Sequence, residues 1–114
     1  MKWMEVIKLR ATEKKPELVE QMLMELITEF GKTSGMKDMK MYRNALLEND
    51  ACILIYWASG KAEPQGSATG LCIAHILKEF GMVSHSIWVE GKSTERLKKQ
   101  TNTRDVGLLE SIEI

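Results

Sequence analysis

MKMYRNALLENDACILIYWA, residues 39–58, contains two β-prone runs around a short polar break. The runs are 39–47 and 51–58, and Glu48-Asn49-Asp50 separates them. A break of this length between alternating apolar segments predicts a hairpin. The second run is almost wholly apolar, as a central strand covered on both faces would be. What flanks the hairpin then decides the fold.

On its N-terminal side, ATEKKPELVEQMLMELITEFG (residues 11–31) changes to helical spacing. Leu18, Val19, Met22, Leu23, Leu26, Ile27 and Phe30 recur at steps of three and four and form the inward face. Pro16 suits a first turn and Gly31 a stop. A polar loop, KTSGMKD (32–38), leads into the hairpin. On the C-terminal side, SGKAEPQGSATG (59–70) is a loop broken by Pro64 and Gly66. A second helix is predicted from about Ser67 to Phe80, with Ile73, Ala74, Ile76, Leu77 and Phe80 inward and Gly81 ending it. Outermost lie two more strands, WMEVIKLR (3–10) and VSHSIWVE (83–90). Trp3, Glu5, Ile7 and Leu9 share one face of the first; Met4, Val6, Lys8 and Arg10 share the other.

The order β-α-β-β-α-β predicts an α+β, ferredoxin-like domain over residues 1–91: a four-stranded antiparallel sheet with two helices on one face. The opposite sheet face carries apolar residues from strands 3–10 and 51–58. Pairing with the same face of a second copy would cover it, so a two-fold homodimer is expected. Residues 92–114 differ in character. Within 92–104, Lys92, Arg96, Lys98, Lys99 and Arg104 stand against Glu95 alone, and the ending GLLESIEI suits a short extra strand.

Lysine plus arginine and aspartate plus glutamate number 16 each, so no overall field draws the chain to nucleic acid or membrane. The longest apolar runs fall well short of the roughly 20 residues that cross a bilayer. Charges at Lys2, Glu5, Lys8 and Arg10 interrupt the start where a signal peptide would be apolar. A cytoplasmic protein is expected. Cys52 and Cys72 sit in apolar segments without metal-ligand spacing, which predicts two buried free thiols. Two histidines and two cysteines make a metal site improbable, and none is expected.

Few residues carry candidate chemistry. GKST (91–94) echoes a phosphate-binding loop. The glycine such a loop needs four residues before its Gly-Lys pair is Ser86, and strand-forming Ile87-Trp88-Val89-Glu90 follow it. GKST is therefore the exit of a strand. EPQGSATG (63–70) places small residues before a helix start; an ordinary cap by Ser67 or Thr69 is preferred over an anion site. His75 falls beside Lys78 and Glu79 on the outer helix face. His85 alternates with Val83, Ile87 and Val89, so it lies on an apolar face and needs a fixed partner there. A core or interface histidine is the plainer reading, a ligand-contacting one the sharper. Glu5 and Arg43 are strand charges that pair structurally or hold a ligand. Trp57 and Trp88 end different strands and pack, or roof a pocket.

The order of elements, the opening MKWMEVIKLRA and Trp57-Ala58-Ser59 closing the third strand resemble the dimeric α/β-barrel superfamily over about residues 1–90. That group includes the antibiotic-biosynthesis-monooxygenase-like proteins, stress-response barrel proteins and haem-degrading oxygenases. The resemblance implies a ligand cavity between sheet and helices or within the barrel, and a C-terminal strand that crosses between subunits. At the place of the haem-degrading members' first-strand asparagine this chain has Ile7. His75 lies on the second helix as their histidine does, but Trp57 ends a strand and does not match their helical tryptophan. No cofactor is expected.

Three functions compete. The first is a ligand-binding dimer without a catalytic set, its pocket lined by Glu5, Arg43, Trp57, His85 and Trp88. The second is a small cofactor-independent oxygenase acting on an aromatic or polyketide-like substrate, with His85 or Arg43 as its polar group. A nucleic-acid-binding role for the basic stretch 92–104 ranks last, because aromatic residues do not interleave with its charges.

Overall fold

The structure, a computed structural model, describes residues 2–12, 16–58 and 60–91. Six elements follow in the expected order: β1 (Trp3–Ala11), α1 (Pro16–Phe30), β2 (Met36–Arg43), β3 (Asp50–Trp57), α2 (Ala68–Leu77) and β4 (Gly81–Val89). The four strands form one antiparallel sheet in the order β2-β3-β1-β4. The fold is ferredoxin-like α+β. The basic stretch 92–104 and the ending GLLESIEI lie outside the described residues.

Alternation along the strands divides the sheet into two chemically different faces. Trp3, Glu5, Ile7, Leu9 and Ala11 of β1, with Ala51, Ile53, Ile55 and Trp57 of β3, point into the helix-covered layer and are buried. Leu23 and Leu26 of α1 and Ile73, Ala74 and Leu77 of α2 complete the core. Each such Ile or Leu contributes about 1.5–3 kcal/mol on burial. Met4, Leu54 and Tyr56 face the other way and are half-buried, while Met82 and Trp88 on β4 are exposed at 75% and 57%. Apolar residues thus populate both faces, as the strand patterns predicted. Among the described residues, no helix is long and apolar enough to cross a membrane.

Several boundaries shift for local reasons. The first hairpin strand ends at Arg43 rather than residue 47, because Asn44 Oδ1 accepts from the backbone N–H of Leu46 and Leu47 at 2.8 and 3.0 Å. That side-chain turn replaces the ladder bonds a strand would need. Leu46 is left 90% exposed. The second helix stops at Leu77, so Phe80 leaves its stripe and Gly81 opens β4. Leu18, expected inward, is exposed; it sits about 140° around the helix from Leu23. The thiols also depart from expectation. Cys52 is half-buried on the open sheet face, and Cys72 is exposed on α2, one position off the Ile73 stripe. Both are free.

Candidate functional site

Among the described residues, one charged side chain is buried in the core: Glu5, with no accessible surface. A carboxylate in an apolar layer costs several kcal/mol unless donors surround it. Sheet register supplies the first two. Trp3 of β1 pairs with Trp57 of β3, and Ile7 pairs with His85 of β4. Trp57 and His85 are therefore diagonal neighbours of Glu5, one on each flank, on the same face. Trp57 Nε1 donates to Glu5 Oε2 at 2.8 Å. His85 Nε2 meets Glu5 Oε1 at 2.8 Å.

The start of α2 supplies the rest. Ser67, the N-cap, has an extended backbone (φ −70°, ψ 163°), and its Oγ accepts from Gly70 N at 2.9 Å. The same hydroxyl donates to Glu5 Oε2, and Ser67 N donates to Glu5 Oε1 at 3.0 Å. Glu5 therefore occupies the positive end of the helix, where free N–H groups and the dipole favour an anion. The sequence offered a cap or an anion site at this place. Both are present, and the anion belongs to the protein.

Two glycines make the approach possible. A Cβ at Gly70 would land on the Glu5 carboxylate, and one at Gly66 on the His85 ring. Gly66 also has φ +104°, which side-chain-bearing residues rarely adopt.

The arrangement fixes the imidazole. With Glu5 ionised the carboxylate accepts and His85 Nε2 donates, and in a neutral imidazole that tautomer leaves the lone pair on Nδ1. The hydrogen bonds of the described residues leave Nδ1 unused, and the His85 side chain keeps 14% of its surface accessible. A carboxylate-oriented imidazole with a bare nitrogen is the geometry of a general base. A surface concavity of about 610 Å³ is lined by residues 61–66; the His85 ring packs behind Gly66 and does not line it. Next to Glu5, the Trp3 and Trp57 rings stack with centroids 5.4 Å apart and planes 16° from parallel.

Of the five residues expected to line a site, Glu5, Trp57 and His85 come together. Arg43 and Trp88 do not. Arg43 pairs with Ala51, at the far end of β3, and its guanidinium meets Glu20 of α1 at 3.3 Å on the surface. Trp88 has the opposite parity to His85, so it lies on the open sheet face and donates to Ser86 Oγ at 2.9 Å. Arg43 instead borders a hollow of about 420 Å³, much of it formed by open-face residues including Lys8, Arg10, Tyr42 and Met82. Its charges are largely exposed, and Arg10 is satisfied by both oxygens of Asp50 at 3.0 Å. The Glu5 cluster, which is buried, is the better candidate for chemistry. Ser67, Gly66, Gly70 and Trp3 belong to it and were not singled out as site residues; the small-residue run before α2 was the signal for the first three. Among the described residues, no group of three or more His, Cys, Asp or Glu side chains is placed to hold a metal.

No protein-family model matches this chain, and no curated protein sequence matches it. Solved structures do. The cofactor-independent oxygenase SnoaB from Streptomyces nogalater superposes with a TM-score of 0.62 at 12% identity, covering 82% of this chain and 96% of its own. Rv0793 from Mycobacterium tuberculosis gives 0.60 at 13% identity, covering 82% and 99%. A candidate antibiotic biosynthesis monooxygenase from Deinococcus radiodurans gives 0.57 at 11% identity, covering 80% and 94%. The chain thus has the ferredoxin-like fold of antibiotic-biosynthesis-monooxygenase-like structures.

Proposed function

We propose that two copies of this chain join sheet to sheet, and that each subunit is a small cofactor-independent oxygenase acting on a flat aromatic or polyketide-like substrate. The dimer follows from the open face, where Met4, Leu54, Tyr56, Met82 and Trp88 offer apolar surface that a second copy would cover. The reaction rests on one observation, the Glu5–His85 pair in an otherwise apolar layer. Replacing a buried ion or polar network by packed hydrophobic residues is often neutral or stabilising. A network kept in the core, with one ring nitrogen unspent, is economically read as serving chemistry.

Molecular oxygen is a triplet and reacts slowly with neutral closed-shell organic molecules. An enolate or phenolate stabilised over several rings can pass it one electron. A base in a water-poor layer is then sufficient, with His85 Nδ1 taking the proton and Glu5 holding the imidazolium that results. The fold shared with SnoaB is consistent with this role. The competing reading is a dimer that holds its ligand unchanged. In its favour, all four hydrogen bonds to Glu5 come from within the protein, as in a structural network.

Anthrone is a suitable probe, since loss of one proton gives an aromatic enolate. Its oxidation consumes one O₂ and yields anthraquinone and water. An oxygen electrode should register uptake above spontaneous oxidation, and His85→Gln should lower it by roughly 10²–10⁴-fold. Equal rates for wild type and variant would refute the assignment.

A further inference from the structure

The open sheet face is not uniformly apolar. Met4, Tyr56 and Trp88 share a rung at one end, and register sets a polar rung nearer the other. There Tyr42 of β2 pairs with Cys52 of β3, Cys52 with Lys8 of β1, and Lys8 with Ser84 of β4. Lys8 thus stands on a central strand with a hydroxyl-bearing residue to either side. All four residues line the hollow of about 420 Å³.

Charge at this rung is unbalanced. Arg10 is spent on Asp50, and Lys40 lies 3.7 Å from Asp38. Those are the carboxylates that the four strands turn to this face, and both are engaged. Among the described residues, none lies within 4.0 Å of the Lys8 ammonium. Its charge is felt instead by the Cys52 thiol, where it opposes the upward push of burial. A second copy laid on this face brings another Lys8, and its strand carboxylates are engaged in the same way. A cation enclosed between two sheets is costly unless an anion joins it. One unpaired cation in a hollow of this size suits a small anion; a polyanion would need a run of cations.

We propose that the hollow over Lys8 is an oxyanion site for one carboxylate or phosphate group of a small molecule, with the ammonium as counter-charge and the Tyr42 and Ser84 hydroxyls as donors. Only its consequence rests on the sheet-to-sheet dimer: an anion that neutralises Lys8 as the face is covered tightens the assembly.

Cys52, beside Lys8 on the rung, reports on the site, and exposed Cys72 on α2 is the internal control. Iodoacetate and iodoacetamide are a carboxylate-bearing alkylating agent and its neutral analogue; mass spectrometry of the two peptides gives their rates. The iodoacetate-to-iodoacetamide ratio should be at least tenfold higher at Cys52 than at Cys72. The iodoacetate rate at Cys52 should saturate with concentration, and phosphate or acetate, exchanged for chloride at constant ionic strength, should suppress it. Lys8→Arg should keep the preference and Lys8→Met should abolish it. Competition by acetate as strong as by phosphate assigns a carboxylate, and competition by phosphate alone assigns a phosphate group. A linear, uncompeted iodoacetate rate is a general charge effect and overturns the site, as does a Cys52 ratio equal to that of Cys72. In sedimentation equilibrium the competing anion should tighten the wild-type dimer about tenfold and leave Lys8→Met unmoved. Without the anion, Lys8→Met should be the tighter dimer. A weaker one would mean that a carboxylate of the second copy already pairs with Lys8, which also overturns the site. The two readings fail separately. Saturable, competed alkylation in a chain that stays monomeric keeps the anion site and removes the sheet pairing. A dimer indifferent to both anions, with uncompeted alkylation, does the reverse.

Discussion

Replacing Glu5 by leucine leaves the Trp57 indole N–H, the Ser67 backbone N–H and the Ser67 hydroxyl facing an apolar side chain inside the core. His85 keeps some access to water and suffers less. Three buried donors at about 1–3 kcal/mol each are offset by the several kcal/mol of desolvation that a carboxylate no longer imposes. The net loss should be about 2–5 kcal/mol, a large part of the stability of a domain this small. Glu5→Gln is subtler. Its amide oxygen can keep Trp57 and the Ser67 hydroxyl, while its NH₂ then points at Ser67 N–H and His85. The backbone N–H is orphaned at about 1–3 kcal/mol, and His85 must turn acceptor at Nε2, moving its proton to Nδ1. Urea titration by tryptophan fluorescence measures both losses, provided the slopes match wild type. Leucine and glutamine variants each within about 0.5 kcal/mol of wild type, the range of neutral surface changes, would refute the claim that this carboxylate organises the layer.

Other consequences are quickly stated. Alanine is a better helix former than glycine by about 1 kcal/mol, yet Gly70→Ala in α2 should destabilise by about 1–3 kcal/mol because its Cβ meets the Glu5 carboxylate; a stabilised variant in urea would contradict the packing. Burial pushes the Cys52 thiol above its ordinary range, with nearby Lys8 opposing only partly. A raised value means less thiolate at a given pH, so at pH 8 Ellman's reagent should titrate one thiol quickly (Cys72) and Cys52 slowly. In urea the two phases should merge; two equally fast thiols in the native protein would be wrong. Leu54→Glu sets a charge in the middle of the open face and should weaken the dimer roughly 100-fold or more in sedimentation equilibrium. A wild-type monomer at high concentration would remove the dimer altogether.

The strands made much of this site legible. Period-2 alternation places Trp3, Glu5, Ile7 and Leu9 on one face and His85 with Val83 and Ile87, and those assignments describe the buried layer. The same alternation, carried three residues past His85, puts Trp88 on the other face; ending a strand is not the same as facing a site. Arg43 shares the parity of the inner face but stands four ladder positions from the Ile55 that pairs with Glu5, a separation only register reveals. Ser67, Gly66 and Gly70 were legible as helix-start residues. That the start of α2 would close over Glu5 depends on tertiary packing, 62 residues away along the chain. Trp3 gave no signal beyond its apolarity, since stacking against Trp57 is a property of surroundings and not of sequence.

Long-range ¹H–¹⁵N correlation of the His85 ring bears most directly on the claim that Glu5 poises a base. With Glu5 accepting, Nε2 should carry the proton and give a pyrrole-like signal, and Nδ1 should give a pyridine-like one. The reverse pattern, or a ring that flips between both, would mean that no base is held ready at this site.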